Sequence, residues 1–169
     1  MSVNGGGRAT GSDGGTAVTR ERSVVEGGDV LVLRVGDWET MREAAAPIRT
    51  EVFVNEQGIA PELEWDPQDA TCLHCVAYEG ERAVATGRLL PDGHIGRMAV
   101  LASRRGGGVG GAVLQRLMQA ARERGHREAI LHAQCSVERF YRRHGFVAEG
   151  EPYEEAGIRH ITMHRSLIP

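Results

Sequence analysis

The feature that most constrains this chain is a run of glycines between an apolar strand and an amphipathic helix. Residues 104–111 read Arg-Arg-Gly-Gly-Gly-Val-Gly-Gly, and residues 109–124 carry apolar side chains at helical spacing before Gly125, a typical helix stop. Glycines allow tight turns and let an anion approach the backbone, and the first N–H groups of a helix lack partners inside it. The sequence therefore predicts a phosphate site at the start of this helix, with two arginines beside it.

Other classes of glycine-rich segment fit the run less well. A Walker A loop needs Lys and then Ser or Thr after its last glycine, whereas Ala112 and Val113 follow here. The dinucleotide pattern G-x-G-x-x-G is formally met by Gly106, Gly108 and Gly111, but the next strand does not end in the acid that binds ribose. A flexible glycine-rich turn that holds no ligand is the remaining alternative.

The order of the predicted elements indicates a mixed α/β fold of the α+β type, with a largely antiparallel central sheet flanked by helices. Strands are expected at residues 30–35, 73–79, 83–90, 94–100, 128–133, 146–153 and 160–166. Helices are expected at residues 40–57, 109–124 and 137–144, and Pro47 predicts a kink or a break in the first. Residues 1–28, rich in Gly, Ser and Thr, are predicted to form a disordered tail, and residues 29–169 a single domain.

Composition and cysteine usage bear on the partners, the location and the metal content that we expect for this protein. The net charge of −3 argues against nucleic acid as a partner, and no stretch approaches the ~20 apolar residues that span a bilayer. Three cysteines and an N-terminus without a basic and apolar leader predict a cytoplasmic location. Cys72 and Cys75 lie in a predicted strand, where residues three apart point to opposite faces, so no metal site is expected.

Two motifs together resemble signatures of the GNAT superfamily of acyl-CoA-dependent N-acyltransferases. Residues 105–110, Arg-Gly-Gly-Gly-Val-Gly, resemble its pyrophosphate-binding R-x-x-G-x-G/A signature, and residues 140–146 resemble its later F-Y-x-x-x-G-F signature. The resemblance covers roughly residues 31–167 and extends to a small bacterial subgroup. The subgroup's V-F-x-x-E-Q helix end, acidic loop and G-I-x-H-I-x-M stretch correspond here to residues 52–57, 64–69 and 157–163.

The resemblance implies an N-acetyltransferase of GNAT fold, without a metal, that moves the acetyl group of acetyl-CoA to a small-molecule or peptide amine. The donor would lie between splayed parallel strands at residues 98–100 and 130–133, with a bulge N–H near Ala99 or Val100 facing the thioester oxygen. The residues implied to contact the donor are Met98, Ala99, Val100, Arg104, Arg105, Gly106, Gly107, Gly108, Val109, Gly110 and Gly111. The alternative is a non-catalytic domain that binds or senses acyl-CoA. Dimers are common among the proteins it resembles, so a homodimer remains open.

Proton transfer is assigned through the same resemblance. Tyr141 matches the family tyrosine that protonates the departing thiolate, against the alternative that it only packs on a helix. Glu56 is the first candidate for the base or a proton relay, followed by Glu51 and His74, against the alternative of a solvated carboxylate at a helix end.

The acceptor site is expected near the first helix. Arg49, Phe53 and Glu56 are spaced to share one helix face, and Arg49, Phe53 and His74 are the predicted acceptor residues. Glu64, Asp66 and Asp69 could attract a cationic amine by their field, although such a run is more often simply a solvated loop. No role is assigned to three further histidines, which are His132, His144 and His160.

Overall fold

The computed structural model describes residues 18–24 and 30–169, where strands alternate with helical segments. The strands are β1 (Thr19–Val24), β2 (Val30–Gly36), β3 (Leu73–Glu79), β4 (Arg82–Leu89), β5 (Ile95–Val100), β6 (Glu128–Gln134), β7 (Val147–Glu155) and β8 (Ile158–Ser166). The α-helices are α1 (Trp38–Arg49), α2 (Pro61–Glu64), α3 (Val109–Glu123) and α4 (Glu138–Arg143). A π-helix spans Thr50–Glu56, and short 3₁₀ turns span Pro67–Thr71, Ala102–Arg104 and Cys135–Val137.

The strands form two antiparallel sheets that meet at one parallel bridge. The larger sheet has the order β1-β2-β3-β4-β5, and the smaller has the order β6-β8-β7. His94 pairs in parallel with Ile130, whose N–H donates to the Gly93 carbonyl over 3.4 Å. Beyond that bridge, β5 and β6 belong to separate sheets and a gap lies between them. This confirms the predicted α+β class with a largely antiparallel sheet.

Helices cover both faces of the larger sheet. The stripe predicted for α3 is buried against one face, where Val113, Leu114 and Leu117 are all fully inaccessible to solvent. On the other face α1 packs Met41 and Ile48 against the strands. Within the described residues, no helix has the length and apolar character needed to cross a bilayer.

The strand β1 contradicts part of the predicted disordered tail. It pairs with β2 along its whole length, from Thr19 opposite Val35 to Val24 opposite Val30. The composition of residues 1–28 predicts too little apolar burial for a core, but an edge strand is held mainly by main-chain hydrogen bonds. Residues 1–17 and 25–28 of the predicted tail lie outside the described residues.

The first helix changes type part-way along, as the proline inside it suggests. An α-helix to Arg49 contains Pro47, which lacks an N–H and crowds the preceding turn, and the π-helix follows directly. Because hydrogen bonds in a π-helix join residues five apart, the α-helical spacing of the sequence analysis fails here. Arg49 and Glu56 consequently have different neighbours, and the predicted shared face does not form.

The cysteines of the C-x-x-C pair are structural. The Cys72 thiol donates to the Gln68 carbonyl over 3.2 Å. Cys75 is fully buried in the core, and burial raises the pKa of its thiol to about 12. In the described part of the chain, no group of three or more His, Cys, Asp or Glu side chains is placed to hold a metal ion.

Candidate functional site

The gap between β5 and β6 is bordered by a β-bulge in β5. Two residues, Arg97 and Met98, together oppose Gly87 of β4. Arg97 has a φ of 46°, in the left-handed region that non-glycine residues seldom adopt. A bulge leaves its extra residue outside the ladder, so main-chain groups here are available to a ligand in the gap. The bulge was expected near Ala99 or Val100, and the structure places it at residues 97–98 instead.

The bulge depends on a glycine in the neighbouring strand. A Cβ at Gly87 would lie 2.8 Å from Leu117 Cδ1 and even closer to Met98 Sδ. Real side chains do not tolerate such contacts, so β4 accommodates the Met98 side chain beneath α3 only because residue 87 has none. The Met98 side chain therefore fills space on the α3 face of the sheet.

The glycine loop turns sharply into α3 and leaves the start of that helix uncapped. Gly106 and Gly108 have φ values of 83° and 84°, which L-amino acids disfavour. Gly108 is the N-cap residue, and no described side chain caps the helix. The first three N–H groups of α3 thus lack partners within the helix, and its dipole makes this end positive. These are the donors that a phosphate requires.

The remaining glycines of the loop have other uses. A Cβ at Gly110 would lie 3.2 Å from Val100 Cγ2, and one at Gly111 would lie 2.8 Å from His144 Nε2. These two glycines therefore let α3 approach β5 and α4 closely. A Cβ at Gly107 would meet no described atom within 4 Å, so the space around it is open.

The arginines predicted to bind phosphate both contact carboxylates. Arg105 donates from Nη1 and Nη2 to the two carboxylate oxygens of Glu56 over 2.6 and 2.9 Å, and from Nε to the Val100 carbonyl over 3.0 Å. Arg104 pairs with Glu79 at the end of β3. The hydrogen bonds from Arg105 lower the pKa of Glu56, so Glu56 is a weak base until Arg105 leaves it.

Tyr141 lies on α4 and lines a cleft of about 1530 Å³ that includes the gap. Its ring packs edge-on against Phe140 and Phe146, with centroids 5.0 and 5.9 Å apart. Its side chain is almost entirely buried, and burial raises the pKa of the phenol well above its ordinary value. The hydroxyl therefore stays protonated at neutral pH, and the ring packs in the core.

A ring of six charged side chains, with arginines and carboxylates in alternation, extends from the interior to one wall of the cleft, which four of its members line. We call it the arginine–acid ring. Its members, in order, are Arg49, Asp69, Arg88, Asp66, Arg97 and Glu64. The three positive charges balance the three negative ones. Glu64, Asp66 and Asp69 are therefore neutralised by arginines, so they neither form a simply solvated loop nor present an uncompensated negative field to a cationic amine.

Asp69 is a buried carboxylate that links two arginines of the arginine–acid ring. It accepts hydrogen bonds from Arg49 over 2.9 and 3.0 Å and from Arg88 over 2.8 Å. Burial alone would raise the pKa of Asp69, but the bonds and charges of Arg49 and Arg88 outweigh it and lower the pKa. The carboxylate is therefore held ionised, and it holds the two arginines in place.

Two predicted acceptor residues do not reach the cleft. Arg49 is only 2% exposed and stacks on Trp38, with its guanidinium carbon 5.1 Å from the ring centroid. His74 is 1% exposed, with Nε2 2.9 Å from the Asp69 carbonyl oxygen, and burial lowers its pKa. Both side chains lie in the interior and contact Asp69, Arg49 through the carboxylate and His74 through the carbonyl oxygen. Glu51, the other candidate base, hydrogen-bonds Asn55 on the exposed surface.

Comparison with known proteins identifies the family. The sequence profile of the acetyltransferase (GNAT) domain matches residues 40–167, more than half of the chain. The chain belongs to the GNAT acetyltransferase family. YjcF from Bacillus subtilis, an uncharacterized N-acetyltransferase, is 39% identical over 120 residues, which cover 69% of this chain and 86% of YjcF.

Solved structures share the GNAT fold of this chain. An acyl-CoA N-acyltransferase from Pseudomonas aeruginosa aligns with a TM-score of 0.70 at 32% identity, over 80% of this chain and 99% of its own. Escherichia coli ElaA aligns with a TM-score of 0.71 at 27% identity, again over 80% and 99% of the two chains. The GNAT fold binds acyl-CoA and its enzymes acylate amines, so this chain is an acyltransferase of that family.

The GNAT cleft is also lined by three histidines of an aromatic cluster that could not be recognised in the sequence. Its members are His94, His132, Tyr153 and His160, with successive ring centroids 5.5, 6.1 and 6.0 Å apart. They come from four different segments, so no motif unites them. The antiparallel register of β6 and β8, which sets His132 opposite Thr162, is the signal that could have joined two of these segments.

The two walls of the cleft also touch directly. Gln57 and Gln134 exchange side-chain hydrogen bonds of 3.2 and 2.8 Å across the gap. Phe53, the predicted acceptor residue that does line the cleft, lies on the same wall as Gln57. Phe53 and the three histidines therefore line the same cleft.

Proposed function

We propose that this protein transfers the acetyl group of acetyl-CoA to the amine of a small molecule or a peptide. The observation that carries the proposal is the uncapped N-terminus of α3 at the end of the strand whose bulge borders the gap. The pyrophosphate would bind the first N–H groups of α3. The pantetheine arm would then run along the main chain of Met98 and Val100, as a strand partner would, which places the thioester at the bulge.

The chemistry follows from these positions. The amine nitrogen attacks the thioester carbonyl carbon directly, and the oxygen gains negative charge next to the main-chain N–H groups of the bulge. As the tetrahedral intermediate collapses, the C–S bond breaks and the sulfur takes the proton of the Tyr141 hydroxyl. The free thiols of Cys72, Cys75 and Cys135 agree with the reducing cytoplasm as the place of action.

Binding is tested first. Acetyl-CoA should raise the melting temperature, whereas NADH and ATP should not, because only a CoA ester fits both the loop and the gap. A ligand that binds only the native state adds about 2.7 kcal/mol at a hundredfold excess over its Kd. A melting temperature that responds to NADH and not to CoA would contradict the proposal.

Turnover is tested by release of free CoA thiol in the presence of a panel of amines. Amino acids, polyamines, amino sugars and lysine peptides should each be offered with acetyl-CoA, and the product of any active amine identified by mass. Amine-dependent thiol release supports an enzyme. Tight acetyl-CoA binding with no release for any amine would instead favour a domain that only binds or senses acyl-CoA.

With an active amine in hand, Tyr141→Phe should lower kcat by about 10²–10⁴-fold and leave the Kd of acetyl-CoA nearly unchanged. The change removes one hydroxyl and keeps the packing of the ring. Tyr78→Phe on β3, where the ring stacks on Arg34, is the matched control and should keep kcat. Equal kcat for wild type and Tyr141→Phe at every pH would exclude Tyr141 as the acid.

A further inference from the structure

His132 lies at the mouth of the gap, where the acceptor amine must approach the thioester. It follows Ile130 on β6 by two residues, and Ile130 forms the bridge that closes the narrow end of the gap. Two residues along a strand span about 7 Å, so His132 stands opposite the start of the bulge rather than at the closed end. It also lines the cleft, together with His94 and His160.

A chain of hydrogen bonds fixes the orientation of the His132 ring. Nδ1 lies 3.1 Å from the hydroxyl oxygen of Thr162, its partner across the strands, and that hydroxyl also hydrogen-bonds Tyr153. When Nδ1–H of His132 donates to the Thr162 hydroxyl, and that hydroxyl donates to Tyr153, each of the three side chains has a hydrogen-bond partner. The second ring nitrogen, Nε2, then carries the free lone pair.

The neighbours of His132 keep its imidazole neutral near pH 7. Partial burial, followed by the charge of His94, lowers the pKa of His132. The charge of Glu155 on β7 raises it, and that of His160 lowers it by a smaller amount, so the pKa is lowered on balance. His94 itself is paired with Asp92, with Nδ1 3.0 Å from the carboxylate oxygen. Glu56, the carboxylate favoured by the sequence, is occupied by Arg105. His160, whose Nδ1 lies 2.7 Å from the Ile158 carbonyl oxygen, is on β8, one strand farther from β5 than β6 is. His132 is thus the histidine on the strand that borders the gap, with Nε2 as its proton acceptor.

We propose that His132 is the general base of the transfer and that Thr162 and Tyr153 are its positioning residues. This role rests on the acetyl transfer proposed above. The acceptor enters as an ammonium ion and gives one proton to Nε2. Its lone pair then attacks the thioester carbonyl carbon, and the C–S bond breaks when the tetrahedral intermediate collapses. The nitrogen loses a second proton on the way to the amide, and this proton replaces the one that Tyr141 gives to sulfur. His132 returns its own proton to solvent.

The test compares His132→Gln with His164→Gln, measuring kcat/KM for an active amine between pH 5.5 and 9. His164 also lies in the smaller sheet but pairs with Glu128 over 2.9 Å, away from the residues that line the cleft. We expect His132→Gln to lower kcat/KM by about 10²–10⁴-fold and to remove the fall in rate that protonation of the imidazole causes at low pH. The control should keep both the rate and the pH profile.

The outcomes separate this role from the reaction itself. A wild-type protein that releases no thiol with any amine overturns the proposed function, and the base with it. If the wild type is active and His132→Gln has the same kcat/KM, with the same fall at low pH, then His132 is not the base, while the proposed function stands. If His132→Gln does not fold, Thr162→Val takes its place, since valine keeps the strand but cannot orient the ring. It should lower kcat about tenfold at an unchanged Kd for acetyl-CoA, and an unchanged kcat would contradict the role of His132.

Discussion

Two arrangements of arginine and carboxylate border the same cleft, and they differ chiefly in burial. In the arginine–acid ring, the side chains of Arg49 and Asp69 are 2% and 3% exposed, and each charge has partners of opposite sign on both sides. The pair of Arg105 and Glu56 has comparable bidentate geometry, but its side chains are 44% and 37% exposed and the pair lies beside the glycine loop.

The difference in burial determines whether the charges of each arrangement can separate without a large loss of stability. A buried charge that loses its partner keeps its desolvation cost. Loss of one member of the ring should therefore greatly reduce the stability of the fold. An exposed pair is worth little, because water stabilises both charges when they separate. We therefore interpret the ring as structural, fixing the wall formed by α1, α2, β4 and β5, and the Arg105–Glu56 pair as exchangeable. A phosphate is a natural replacement for the Glu56 carboxylate.

The largest effect should come from breaking the ring at Asp69. Asp69→Asn removes the charge that separates Arg49 from Arg88 and leaves two buried guanidinium groups facing each other. Loss of one partner of a buried ion pair costs about 3–5 kcal/mol. Unfolding in urea, followed by far-UV circular dichroism, measures the loss.

The matched control for Asp69→Asn is Glu62→Gln on α2, which removes one carboxylate charge from an exposed position in the same region. It should change the free energy of unfolding by less than about 0.5 kcal/mol. If the two variants are equally stable, the ring does not carry the wall, and the comparison with the exposed pair loses its basis.

A smaller effect should appear when pH is lowered on the wild-type protein. Burial lowers the pKa of His74 in the native state. Below about pH 6.5 the unfolded chain therefore binds a proton at His74 that the native chain does not bind, and the free energy of unfolding falls as the pH falls. The pKa values of Asp66 and Asp69 are also lowered, so their contribution is present above about pH 4 and is lost as pH falls through the native values. The melting temperature should thus decline in two steps. His74→Gln should flatten the first step, and persistence of that step would assign it to another group.

The glycine loop and the start of α3 could be predicted from sequence because they are local. Eight consecutive residues, 104–111, contain the turn, the helix start and both arginines, and the structure has the turn and the uncapped helix where they were expected. Even there, the partners of the arginines were not predictable. Glu56 is 49 residues before Arg105, and only the path of the π-helix brings it to the loop.

The arginine–acid ring and the histidine cluster could not be predicted because their contacts are long-range. The carboxylates of residues 64–69 look like a solvated acidic loop until Arg49, Arg88 and Arg97 are brought to them from α1, β4 and β5. The histidine cluster likewise needs the register of β6 and β8. Pro47 indicated a break in the first helix, but nothing in the residue types alone indicated a π-helix after it.

The smallest effect should follow from removing the exposed carboxylate at Glu56. Glu56→Gln should change the free energy of unfolding by less than about 1 kcal/mol, since the pair is largely exposed. Arg105 would no longer have to exchange a carboxylate for a phosphate, so the Kd of acetyl-CoA should fall about twofold to fivefold. Isothermal titration with acetyl-CoA measures the Kd, and thiol release measures kcat.

The control for Glu56→Gln is Glu51→Gln, which removes a carboxylate from the same π-helix where the neighbour is Asn55 rather than an arginine. It should leave the Kd of acetyl-CoA unchanged, because no phosphate-binding group is released. The kcat of Glu56→Gln then separates the two candidate bases. If His132 accepts the proton, kcat stays within about twofold of wild type, whereas loss of a true base at Glu56 would cost about 10²–10⁴-fold. Weaker binding of acetyl-CoA to Glu56→Gln would mean that the carboxylate holds Arg105 in its binding position, and the pair would then be as structural as the ring.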